Sequence, residues 1–200
     1  MRKLFEIGGV IAGLVMITFG VAAIAMGVNG RSEVRSAIAE QKITATPDAA
    51  ELTNGKLQPG QAIKTGAQAR AFADVMEHHA LKATDGQRYA EMGRFLTPAG
   101  KATGDEAAAA KDPKTGQPVE NGLCNLWVTE TGLTTALNVS YMAEQMALFG
   151  IVVGFALLLS GFGFIVLALG GALRRREWAP EVAAQQTAVQ PSPQTVPVTS

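Results

Sequence analysis

Few side chains in this 200-residue chain are of the types that do chemistry, and their spacing limits what they can do. His78 and His79 are the only imidazoles. Adjacent helical residues point about 100° apart, so the pair does not converge on one metal ion, and there is no HExxH run. Asp74 and His78, at i and i+4, offer two ligands from one helix, whereas a catalytic zinc site takes three. Cys124 is the single cysteine, which excludes an internal disulfide. It reads as a small, half-buried apolar residue, with an intermolecular bridge in an oxidising compartment as the alternative. No serine sits in a GxSxG setting, and there is neither a P-loop nor a GxGxxG run. Asp105 and Glu106 stand beside an alanine run and read as solvated. These residues give no catalytic, cofactor or metal site, and the expectation is a non-enzyme without a cofactor.

The elements that would position such residues are dominated by two uncharged apolar stretches, 7–28 and 146–173. The first, about 22 residues at about 1.5 Å of rise each, covers about 33 Å, enough for a hydrocarbon core of about 30 Å. The second is longer and is expected to tilt. Arg2 and Lys3 precede the first stretch; Arg174, Arg175 and Arg176 follow the second, with Trp178 as an interface anchor. The rule that positive charge stays inside puts both termini in the cytoplasm, with Arg31 and Arg35 weakening the bias without reversing it. The expected organisation is a cytoplasmic N-terminus over 1–6, a first span over 7–28, and an extracytoplasmic domain over 29–145. A second span follows over 146–173, then a disordered cytoplasmic tail over 174–200. The fold class is mainly α: a transmembrane helical hairpin with a mostly helical exported domain. Arg2 and Lys3 before a run ending in Ala23-Ile24-Ala25 also fit a cleaved signal peptide, but an h-region runs only about 7–15 residues. An uncleaved anchor is therefore the reading adopted, in the cytoplasmic membrane.

Glycines recur inside both stretches: Gly9, Gly13, Gly20 and Gly27 in the first, Gly150, Gly154 and Gly161 in the second. Such stripes let helix backbones approach closely in lipid, between the two spans or across a dimer. Neither span carries an ionisable residue, which argues against a transporter or pump. Glu144 lies just outside the second span at about the height of Arg31, and an ion pair there would tie the spans together.

Between the spans, Asn29-Gly30 signals a break and Ser32 the cap of a short helix ending near Lys42. Thr46-Pro47-Asp48 opens another helical turn, and Asn54-Gly55 and Pro59-Gly60 close it. From Ala62 to Lys82 the apolar residues Ile63, Ala67, Ala71, Phe72, Val75 and Met76 recur at spacings of three and four, an amphipathic helix. Arg88 to Leu96 places Tyr89, Met92 and Phe95 at helical spacing, though a strand fits too. Pro98 to Pro118 reads as a loop with a turn at Asp112 to Gly116, and Thr129 caps a helix running unbroken into the second span. Phe72, Val75, Met76, Tyr89, Met92, Phe95 and Trp127 are the candidate core of the domain, or the lining of a pocket. Acidic and basic residues balance at 17 each and interleave, so nucleic acid is excluded as a partner.

Met1 to Arg31 resembles the start of a group of uncharacterised actinobacterial membrane proteins with two transmembrane helices, as do GQRYAEMGRFL at Gly86 to Leu96 and LWVTETGLTTALNVSYMAEQMALFGIVVG at Leu126 to Gly154. The resemblance implies architecture and location. Some members carry the name aromatic ring-opening dioxygenase, but a non-haem iron site takes two histidines and a carboxylate, and the histidines here are neighbours. The expected role is an interaction or structural subunit whose partners are the bilayer and either a second copy or another membrane protein. An envelope ligand-binding or sensory module is the alternative.

Overall fold

A computed structural model describes residues 2–170. Arg174, Arg175, Arg176 and Trp178, with the rest of the expected tail, lie outside the described residues; Arg2 and Lys3 fall in the first turn of a helix. The chain is mainly helical. Two long helices, α1 (Arg2–Glu40) and α4 (Gly122–Leu169), run antiparallel and touch along their length, and between them come α2 (Ala49–Leu52), α3 (Gly66–Ala83), β1 (Phe95–Leu96) and β2 (Ala102–Thr103). Both long helices are long and apolar enough to cross a membrane.

α1 does not break at Asn29-Gly30, and no separate helix begins at Ser32. A mid-helix glycine costs about 1 kcal/mol relative to alanine. Contacts on either side outweigh that cost: Gly27 lies against the α4 backbone, while Arg31 and Arg35 bond to Glu144. The chain leaves α1 through Lys42, whose backbone is left-handed at φ 54°.

Residues 43–63 fold back as an irregular ribbon. The Ala45 N–H donates to the Gln61 carbonyl (2.8 Å) and the Ile63 N–H to the Ile43 carbonyl (2.9 Å), burying Ala45 and Ile63. Ile63 therefore precedes α3. The helix starts at Thr65, whose hydroxyl accepts from the Gln68 N–H while the Gln68 side chain accepts from the Thr65 N–H, a reciprocal cap. Its buried face is Ala69, Ala71, Ala73, Val75 and Ala80, while Ala67 is exposed. The core is thus built from small residues around Ile38, Leu57, Ile63, Val75 and Leu137, with Phe72 and Met76 packed on its edge.

The helix expected over Arg88 to Leu96 is a single 3-10 turn, Tyr89–Glu91, followed by β1, which pairs antiparallel with β2. Gly93 lies against the Thr103 backbone, an approach no side chain at that position would permit. Between Pro98 and Pro118 the chain is ordered by β2, a 3-10 turn at Glu106–Ala108 and a bridge from Lys111 to Pro118. In the turn that follows, the Asp112 carboxylate accepts from the backbone N–H groups of Thr115 (2.9 Å) and Lys114 (2.8 Å), which lower its pKa.

α4 is capped by Asn121, eight residues before Thr129. The Asn121 side-chain oxygen caps the Leu123 N–H and its amide donates to the Gly93 carbonyl. Thr129 instead bonds back to the Asn125 carbonyl. From Gly122 the helix is unbroken to Leu169.

Candidate functional site

Three sets of side chains organise the molecule. The first is the glycine seam. A Cβ added at Gly13 would sit 2.7 Å from the Gly161 carbonyl oxygen, and one at Gly20 would sit 2.8 Å from that of Gly154. At Gly27 the nearest oxygen is that of Ala147, 2.6 Å away. The relation is reciprocal, with Gly154 against the Gly20 oxygen and Gly161 against that of Gly13, both at 2.7 Å. No side chain larger than hydrogen fits these five positions. Gly9 meets the Ala168 methyl at 3.0 Å, and Gly150 has nothing nearer than 3.8 Å. The operative interval is thus seven residues, the repeat that keeps one helix face on its neighbour, and the four-residue glycine pairs contribute one tight member each.

The second set is a junction on Glu144, two residues outside the second apolar run. Its Oε1 accepts from Nε of Arg31 (3.0 Å) and of Arg35 (2.6 Å), and its Oε2 from the backbone N–H of Gly66 (2.6 Å). One carboxylate therefore ties α1, α4 and the first turn of α3, where the helix dipole also favours an anion. Burial raises its pKa; the Gly66 N–H and the two guanidiniums act the other way and prevail, leaving the carboxyl below its ordinary value. Gly66 belongs to the same fit, since a Cβ there would lie 2.8 Å from Cα of Tyr141. The Arg31–Glu144 pair is legible in the sequence. Arg35 carries a usable signal, being one helical turn from Arg31; Gly66 carries none before α3 is placed.

The third set lies away from the core. Trp127 is buried, and its indole N–H donates to the Gln87 carbonyl (2.9 Å) and the Thr84 hydroxyl (3.4 Å), latching the end of α3 to α4. The seven aromatic and apolar residues singled out from the sequence do not gather in one place. Val75 is fully buried, Phe72 and Met76 line a groove, Trp127 forms the latch, Met92 and Phe95 are half-buried by the short sheet, and Tyr89 is exposed. The groove has two parts. A cavity of about 650 Å³ between α3 and α4 shares Met76 and Leu133 with another of about 560 Å³ between α1, α3 and α4.

His78 is exposed and His79 half-buried. The His79 Nε2 stands 2.7 Å from an oxygen of Asp48, whose other oxygen accepts from the Thr46 hydroxyl (2.6 Å). Among the described residues no three His, Cys, Asp or Glu side chains are grouped to hold a metal. Cys124 is buried and points at the Gly93 carbonyl (Sγ···O 3.5 Å), so as folded it is not presented for an interchain bridge.

No family model, curated protein or solved structure matches this chain. The class is thus set by architecture: a mainly helical chain with two helices apolar enough to span a membrane.

Proposed function

We propose that this is an integral membrane protein with both termini cytoplasmic. Its extracytoplasmic domain, residues 29–145, would serve as a non-enzymatic interaction or structural subunit for a second copy or another membrane protein. The observation that carries the reading is the exposure of the apolar helices. Only 11% of the most apolar window of α1 and 17% of that of α4 is buried, and Phe19, Met26, Leu159 and Leu169 are each more than three-fifths exposed. A core helix of a soluble protein hides such side chains, whereas lipid is their natural solvent. The glycine seam supports an uncleaved first span, because removing α1 would leave the backbone at Gly154 and Gly161 without its partner. Basic residues at Arg2, Lys3 and Arg174 to Arg176 support the orientation.

The alternative, a ligand-binding or sensory module, is favoured by one observation, the groove along α4. Continuity of α4 from Gly122 to Leu169 provides a rigid connection between domain and span, a means of transmission that becomes signalling only if α4 has two positions.

Lys114→Cys on the exposed turn, in a Cys124→Ser background, tests the topology. Labelling of intact cells by a membrane-impermeant maleimide is expected; labelling only after permeabilisation overturns it. Crosslinking in intact cells followed by mass spectrometry then separates the roles: a stoichiometric different protein makes this chain an accessory subunit, and self-crosslinks alone make it a homo-oligomer.

A further inference from the structure

The groove along α4 is a single trough. Its two cavities meet at Met76 and Leu133, and on α4 it extends from Ser140 to Gly122, about 27 Å at about 1.5 Å per residue. The end near Ser140 is six residues from the apolar run and is walled by Ile38, Phe72 and Leu137. Beyond Leu133 the chemistry changes. Glu130, near the middle of the trough, lines it with only 7% of its surface exposed, and among the described residues its carboxyl accepts one hydrogen bond, a long one from the Thr131 hydroxyl (3.4 Å). Its unbonded oxygen is open to solvent rather than sealed, so the carboxyl keeps acceptor capacity that a donor entering the trough can fill. Elsewhere on this half of the trough the polar wall residues are already paired: the Asn125 amide donates to Glu120, and His79 stands against Asp48.

An apolar groove of this volume with a largely covered carboxyl group part-way along it has the form of a small-molecule site for an amphiphile. We propose that the trough binds a long-chain amphiphile with an ammonium head, its hydrocarbon chain lying over Phe72, Met76 and Leu133 and its head paired with Glu130. The ligand is drawn from the outer leaflet, because the apolar end of the trough is carried on the same two helices that continue into the apolar spans; this origin rests on the membrane reading above. Charge selects the head group: a fatty acid would bring a second anion to Glu130, whereas an ammonium group would bring donors to its open acceptor.

The test uses the full chain in phosphatidylcholine nanodiscs with a photoreactive diazirine derivative of palmitylamine, compared with the matched palmitic acid derivative. The amine is expected to label peptides containing Phe72 to Met76 and Leu133 to Ser140. Glu130→Gln is expected to lower amine labelling about tenfold, from loss of one charge-assisted hydrogen bond, and to raise palmitic acid labelling of the same peptides because the repelling anion is gone, which also reports that the variant is folded. Leu133→Trp, at a half-exposed position shared by both cavities, should abolish amine labelling. Equal labelling by amine and acid that ignores Glu130→Gln overturns the proposal, as does labelling confined to 146–169. A disulfide-linked dimer of Leu133→Cys in the Cys124→Ser background, without amine labelling, assigns the trough to a second copy and also overturns it. If instead the Lys114→Cys topology assay fails while Glu130-dependent amine labelling persists in detergent, the site stands and the membrane reading falls.

Discussion

Along α1 and α4 the chain solves the same problem twice by opposite means. In the apolar part the two helices meet through hydrogen atoms and carbonyls at Gly13, Gly20, Gly27, Gly154 and Gly161, with no ionisable side chain in either run. Toward the domain the same helices meet through Arg31, Arg35 and Glu144, and a third helix joins at Gly66. The contrast follows from the solvents each part is suited to. Where lipid competes equally for apolar side chains, only close backbone fit distinguishes one neighbour from another. Where water is present, a carboxylate satisfied from three directions specifies one arrangement, and alanine-rich faces bury the apolar surface that drives assembly. Shape holds one region and paired charge the other, on a shared pair of helices.

The largest effect is expected from breaking the shape side. Gly154→Ala places a methyl 2.6 Å from Cγ1 of Ile24 and 2.7 Å from the Gly20 oxygen; the side chain can turn away but the carbonyl cannot. The helices must separate locally, at a cost of about 1–3 kcal/mol. Gly150→Ala, in the same helix with nothing nearer than 3.8 Å, should be neutral or stabilising by up to about 1 kcal/mol through helix propensity. Unfolding in mixed micelles titrated with dodecyl sulfate compares them, and equal effects would show that the seam is ordinary glycine enrichment.

Breaking the charge side should cost less. Glu144→Gln keeps the shape but loses three charge-assisted hydrogen bonds. Because the two arginine side chains are 38% and 42% exposed, solvent screening limits the loss to about 1–2 kcal/mol. The local readout is hydrogen exchange at the Gly66 amide, which should quicken while amides along 150–165 keep their protection. If both regions loosen together, the two halves of each helix are one cooperative unit and the comparison fails.

Legibility in the sequence followed the same division. The apolar runs, their glycines and the amphipathic pattern of α3 are one-dimensional signals, and each falls on a helix here. The bounds of α1 and α4 differ from those the sequence predicts because Gly30 and Thr129 carry local stop and start preferences of about 1 kcal/mol or less, and tertiary contacts at Gly27, Arg31 and Asn121 outweigh them. Tyr89, Met92 and Phe95 showed helical spacing over too short a stretch to arbitrate, and the decisive residue, Gly93, acts by letting another strand come close. The sequence points to large residues as the core, whereas Ala69, Ala71 and Ala73 supply much of it; alanine is apolar enough to bury and too common to stand out. Glu130 and Gly66 gain meaning only from what folds onto them.

The smallest expected effect tests whether charge matters where nothing is buried. Asp48 is exposed, yet its pKa is lowered from 3.8 to about 2, chiefly by the Thr46 hydroxyl and next by His79. A carboxyl group whose folded pKa lies below its unfolded value stabilises the fold above the unfolded value and loses that contribution as pH falls through about 2. The contribution is therefore complete at neutral pH and disappears only in strong acid. Carboxyl carbon shifts followed by NMR on acidification should give a midpoint near 2 for Asp48. Thr46→Val should raise that midpoint more than His79→Gln does, because the hydroxyl is the larger cause. The reverse order would make the imidazole the principal partner, and α3 would then be tied to the 46–48 turn by charge, extending to the domain surface the mode of attachment that Glu144 provides at its base.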